Sequence, residues 1–156
     1  MIDAQKSRVY DAEHRMGTLY DHAHGGVSTV FGVPLMLEPE ETFPGLAAVR
    51  AYAHRVVAHP GVVRRLGSRR PVLIRPRRGD TKAHYEYPGV IAVPTSTWAL
   101  RELVILHEIA HHFTVGMGHG PAFADAMLVL VTEIIGPQAG LALRMLYDHS
   151  EAVCTT

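Results

Sequence analysis

His107-Glu108-Ile109-Ala110-His111 is an HExxH pattern, two histidines four residues apart with a carboxylate beside the first. On a helix of 3.6 residues per turn, positions i and i+4 lie on nearly the same face, one turn apart. Two imidazoles so placed can occupy two corners of one tetrahedral zinc. Glu108 is rotated about 100° from His107 around such a helix. It can therefore reach a metal-bound water without displacing a histidine. The chemistry this spacing suits is hydrolysis, with the metal lowering the pKa of water and the carboxylate acting as general base.

The elements that must position these residues are also legible. Leu103, Leu106, Ile109, Ala110 and Phe113 recur at threes and fours, which predicts a helix over 97–114. Ser96 or Thr97 is the expected N-cap, and Glu102 lies near the positive end of the helix dipole. Gly116 and Gly118 end the helix. One helix turn supplies two ligands, so a third must come from elsewhere. Gly118-His119-Gly120-Pro121 follows, with Pro121 suited to the first turn of a new helix. His119 then stands just before that helix, facing back. Three histidines with one open position make a catalytic arrangement, because structural zinc sites are closed by four protein ligands. Glu133 and Asp125 are the alternative third ligands, on the precedent of two histidines and a glutamate.

The sequence HEIAHH followed by HGPAF resembles the minimal zinc metallopeptidases that carry HExxH and a later H-G-x-x-F, such as the SprT-like and WLM groups. More closely, the run 89–147 looks like a family of small HExxH metallopeptidases of actinobacteria and their phages. Arg8-Val9-Tyr10-x-Ala12-Glu13 also looks like that family, so the resemblance extends over most of the chain. It implies a zinc metallopeptidase with His107, His111 and His119 as ligands, since the third ligand of the broader groups falls on His119. The gap from His111 to His119 is longer than in metzincins, so their features are not carried over.

Composition sets the frame. The 156 residues are 47% hydrophobic and 19% charged, with formal net charge zero, as expected of one soluble globular domain. Nothing global points to nucleic acid or membrane. Cys154 stands alone, which excludes a disulfide within the chain. Residues 1–6 and 150–156 read as tails around a single domain spanning 1–156. No apolar leader is evident at the start, and cytoplasm is the expected compartment.

Along the chain, a first helix is expected over residues 5–20, with Tyr10 and Glu13 on it. His22 and His24, beside Gly25-Gly26, are weaker ligand candidates. Residues 28–37 read as one strand, placed at an edge by Pro34. Pro39-Glu40-Glu41-Thr42 opens a helix that His59-Pro60-Gly61 ends. Residues 64–82 hold eight of the 15 basic residues, which would suit an acidic or nucleic-acid contact, or a solvated hairpin edge. Within that block residues 71–75 read as a strand and Arg78-Gly79-Asp80 as a turn. Residues 83–87 and 90–94 are two more strands. An extended peptide could add to the second by β-augmentation. Helices follow over 121–135 and 138–148.

The fold expected is α+β: a minimal zincin-like fold with a small, mostly antiparallel sheet, helices packed on it and an HExxH active-site helix. The function expected is peptide-bond hydrolysis through a zinc-activated water, with Glu108 as general base and Zn²⁺ on His107, His111 and His119. His112, Tyr85, Tyr87 and Tyr147 are candidate oxyanion donors. The partner implied is a peptide or protein substrate, with no membrane. Two rival classes are a metal-dependent hydrolase of another substrate such as RNA, and a non-catalytic zinc-binding protein of a larger assembly.

Overall fold

Val90–Val93 is apolar on both faces, and a strand of that kind belongs inside a sheet rather than at its edge. In a computed structural model, which describes residues 2–79, 82–96 and 99–155, this segment is the middle strand of three. The chain gathers into two compact units, one of Met1–Glu40 with Met117–Thr156 and one of Glu41–Gly116. The architecture is α+β, with six α-helices and two small sheets among the described residues.

The Glu41–Gly116 unit contains α2 (Leu46–Ala58), α3 (Pro60–Leu66), β3 (Leu73–Pro76), β4 (His84–Glu86), β5 (Val90–Val93) and α4 (Glu102–Phe113). β5 pairs in parallel with β3, Ile74 opposite Ile91, and antiparallel with β4, Tyr85 opposite Ile91. Because β5 is covered on both sides, it has no edge for an added peptide strand; β3 and β4 are the edges. Helix α4 packs against β4 and α2. Its amphipathic stripe understates its burial. Ile105, Leu106, Ile109 and Ala110 are fully buried, and so nearly are Glu102, His107, Glu108 and His112. A helix enclosed on this scale is part of a core, not a surface layer.

The start of α4 differs from the expected capping. The helix begins at Glu102, behind Arg101 in extended conformation with no side-chain cap. Thr97 lies outside the described residues, as does Asp80. Residues 41–43 and 100–102 instead form a short antiparallel bridge, with Phe43 N–H donating to Leu100 O and Glu102 N–H to Glu41 O, both at 2.9 Å. The Glu102 carboxylate returns the bond, accepting from Glu41 N–H at 2.9 Å and from the Tyr52 hydroxyl at 2.7 Å. Burial and this carboxylate push the Tyr52 phenol far above its ordinary pKa, so it remains a donor. The bridge fills the place the sequence assigned to a helix opening at Pro39; α2 begins only at Leu46. His59 likewise begins α3 instead of only ending α2, its Nδ1 accepting from Gly61 N–H at 3.2 Å.

The other unit contains α1 (Lys6–Ala23), β1 (Val27–Val30), β2 (Val33–Met36), α5 (Pro121–Leu130), a π-helical turn (Val131–Ile135) and α6 (Pro137–Ser150). Val9, Ala12 and Met16 form the fully buried stripe of α1, which packs on α6. The single strand expected over 28–37 is a hairpin. Val30 pairs with Val33 across Phe31-Gly32, both at positive φ (47° and 81°). That backbone suits a tight hairpin, but phenylalanine is not a residue that signals it. Pro121 and Pro137 stand in the first turns of their helices. The expected helix over 121–135 ends in the π-helical turn, where Thr132 meets Gly140 of α6. A Cβ built on Gly140 would collide with the Thr132 side chain.

The residues expected to be tails are tied down. Gln5 is buried and pairs twice with Val153, donating to its carbonyl at 3.1 Å and accepting from its N–H at 2.9 Å. Thr155 N–H and hydroxyl donate to Asp125. No helix among the described residues is long and apolar enough to cross a membrane.

Two substitutions check this packing by urea unfolding. Tyr52→Phe removes the hydroxyl that donates to the buried Glu102 carboxylate and is expected to lower stability by about 1–3 kcal/mol. Gly140→Ala overpacks the α6 contact and is expected to cost about 1–3 kcal/mol, with unchanged m-value.

Candidate metal centre

Within the Glu41–Gly116 unit, α4 carries His107 and His111 on one face, as the spacing predicts. Their rings meet edge to face, with centroids 5.1 Å apart. His107 is 4% exposed and Glu108 5%, while His111 is half-buried. One imidazole and a carboxylate are thus withdrawn from water on the helix, with the second imidazole half-buried next to them. Ligands on regular elements hold their geometry better than ligands on loops.

His112, the next residue, is also buried, and its surroundings are fully defined. Nε2 lies 2.9 Å from the Arg70 carbonyl, and Nδ1 lies 3.1 Å from the Tyr85 hydroxyl. A carbonyl only accepts, so Nε2–H donates and Nδ1 accepts from Tyr85 in the neutral ring. Burial, with Arg69 and Arg70 nearby, holds the imidazole below its usual pKa despite its bond to the Arg70 carbonyl. The pair ties β4 and the segment before β3 to α4. Gly89 lies against the same ring, where a Cβ would stand 3.3 Å from His112 Cε1. His112 and Tyr85, both candidate oxyanion donors in the sequence, are bonded to each other. Tyr87 is 74% exposed.

In the other unit, His119 stands ahead of α5, which Gly120 caps. Its anchor is a residue that sequence spacing did not single out. Asp3 Oδ2 lies 2.6 Å from His119 Nδ1, and the two carboxylate oxygens accept from His119 N–H at 3.2 and 3.1 Å. Burial alone would raise the Asp3 pKa. The hydrogen bonds from the His119 ring and backbone outweigh it and hold the carboxyl below the usual range. With Nδ1–H donating to a carboxylate, the ring's lone pair is on Nε2. Gly118 makes the contact possible. It has a φ of 56°, and a Cβ there would lie 3.1 Å from Asp3 Oδ2. Tyr10 and Phe123 flank the imidazole, with centroids at 5.1 and 4.8 Å.

The remaining candidates have other places. Tyr147 is fully buried on α6 and donates to Glu13 at 2.9 Å, so this α1 carboxylate serves the helix pair. Asp125 accepts from Thr155. His22 Nδ1 faces the Thr18 carbonyl at 2.8 Å, and His24 is the left-handed residue after α1. Among the described residues, none of Asp125, Glu133, His22, His24 or Cys154 belongs to a group of three or more metal-ligating side chains. Compared with known proteins, no family model matches the chain, and no curated protein or solved structure matches it.

The His112 contacts give a further check. His112→Ala removes a buried ring and leaves the Arg70 carbonyl without that donor. Thermal and urea unfolding are expected to show a loss of about 2–4 kcal/mol. Tyr85→Phe is expected to cost about 1 kcal/mol.

Proposed function

We propose that the chain is a zinc-dependent metallopeptidase. The observation that carries this reading is the His107-Glu108-x-x-His111 face of α4, with His107 and Glu108 buried and His111 half-buried beside them. Burying ionisable groups costs stability relative to apolar side chains, and this helix concentrates them where the spacing suits a metal. His107, His111 and His119 would hold the ion, each offering one ring nitrogen. The donor set fits zinc, three neutral imidazoles leaving a fourth position for water or substrate. The Asp3–His119 pair supports the assignment, because ligating histidines usually donate their second ring N–H to a carboxylate or carbonyl.

When bound, zinc supplies Lewis acidity, lowering the pKa of water and polarising a carbonyl. The chain's own residues do the rest. Glu108, next to the first ligand, takes the proton of the attacking water and delivers it to the leaving amine nitrogen. α4 and the Asp3 carboxylate orient the imidazoles. β4, the edge strand against α4, is where an extended peptide backbone would lie. The fold so read is a minimal zincin-like one, consistent with the resemblance to small HExxH metallopeptidases. Its substrates are peptides or proteins, met in the cytoplasm.

Elemental mass spectrometry on protein purified without a histidine tag tests the metal. Wild type is expected to carry about one zinc per chain, and His119→Ala to lose most of it. Full retention in His119→Ala would move the third ligand to Glu133 or Asp125. A wild type that takes up no metal after reconstitution would refute the proposal. Asp3→Asn is expected to weaken zinc binding about 10–100-fold in a chelator competition. Glu108→Gln is expected to keep its zinc and lose about 10²–10⁴-fold in hydrolysis of a denatured protein substrate. Zinc binding with no turnover by wild type would favour the non-catalytic class.

A further inference from the structure

We infer that the Glu41–Gly116 unit carries a second, metal-independent site, which takes a phosphate group at the carboxyl ends of β3 and β5. A cleft of about 600 Å³ lies there, lined by Arg77, Arg78, Gly79, Pro94, Thr95 and Ser96. Its place follows from the topology. β3 and β5 run parallel, so Arg77–Gly79 and Pro94–Ser96 leave the sheet on the same side. Crevices outside the carboxyl ends of parallel strands are where such sheets receive ligands. Arg77 N–H donates to Val93 O at 2.9 Å, which carries the pairing one residue past the end of β3.

The lining has the chemistry of an anion site. Two guanidiniums offer planar forks of donors, suited to bidentate contact with phosphate oxygens. Arg75, two residues earlier on β3, is paired with Glu86. The Ser96 hydroxyl is buried and, among the described residues, has no hydrogen-bond partner. A buried polar group of this kind calls for a ligand or partner that satisfies it. Thr95 adds a second hydroxyl at the rim. Gly79, at a φ of 92°, turns the chain after β3 without a side chain intruding.

The depression is broad and open, so a ligand there keeps part of its surface in solvent. No aromatic side chain stands among its described lining residues. The structure therefore assigns the site to a phosphomonoester, whose dianion meets both arginines and whose oxygens accept from Ser96 and Thr95. The basic block of residues 64–82 then divides by role: Arg77 and Arg78 face a ligand, while Arg70 supplies its carbonyl to His112.

The test is an amide NMR titration of the full chain with inorganic phosphate, against sodium chloride at matched ionic strength. Saturable shifts centred on Arg77, Arg78, Gly79, Thr95 and Ser96 are expected. Arg77→Gln with Arg78→Gln should weaken binding at least roughly tenfold, two charge-assisted contacts being lost. Ser96→Ala should weaken it several-fold with an unchanged spectrum elsewhere, which separates loss of a contact from loss of fold. Phenyl phosphate should bind tighter than a single-stranded RNA octamer at the same salt. Shifts no larger than those with chloride, or undiminished binding by the double variant, would overturn the site. Tighter binding of the octamer would overturn its assignment to a phosphomonoester.

Discussion

The structure depends on keeping four ionisable side chains of one short helix out of water. Glu102, His107, Glu108 and His112 are each at most 5% exposed on α4. An isolated charge so placed would cost many kcal/mol, and even a neutral polar group costs unless it is hydrogen-bonded. Two of the four show how the surrounding chain answers this. Glu102 accepts from Tyr52 and from the Glu41 amide, which brings α2 and the bridge at Thr42–Arg101 to the helix start. His112 sits between the Arg70 carbonyl and the Tyr85 hydroxyl, which brings β4 to the helix end. Much of the long-range architecture of this unit is thus the set of partners that α4 requires. His107 and Glu108, between those two anchors, are held by a segment fixed on both sides.

This separates two kinds of buried polar residue that look alike in a sequence. Glu102 and His112 are bonded within their own unit and make the helix specific in place. Replacing such groups by apolar ones is often neutral once the partners are changed as well. His107, Glu108 and His111 follow a spacing that the packing of a helix does not demand, since leucines at the same positions would fill the core more simply. Departures from the simplest local solution concentrate at functional sites. The adjacent pair His111-His112 shows the difference within one dipeptide, one ring turned toward His107 and the other spent on the fold.

What could be read in advance followed range. The i,i+4 histidines, the apolar segment that became β5 and the proline opening α5 are local patterns, and the helices and strand they announce are present. The turn at Phe31-Gly32 is silent in the sequence because its first residue gives no turn signal. The start of α4 is set by a two-segment bridge, not a capping side chain, which satisfies its first amide. Asp3 falls in a segment that reads as tail because its partner lies 116 residues away. No spacing rule reaches that far. The one sequence clue is Gly118, whose lack of a side chain admits the carboxylate, and a glycine beside a candidate ligand reads equally well as a helix stop.

The two inferred sites draw on opposite chemistry, and this makes them separable. Imidazole ligation needs neutral rings, deprotonated as the metal binds, and its partners are buried. Arginine stays charged at any ordinary pH, so in guanidinium–phosphate contact only the ligand titrates, the phosphomonoester passing from dianion to monoanion at about pH 6. Arg78 is exposed and Arg77 half-buried, so added salt screens their attraction, the Debye length being about 8 Å at physiological ionic strength. A zinc ion on the three histidines would be far less sensitive to salt, and acid would weaken its binding because ligation needs deprotonated rings. A chelator at constant salt should thus release the metal first, and salt at constant pH the phosphate first. A single residue set serving both ligands would not part them in this way.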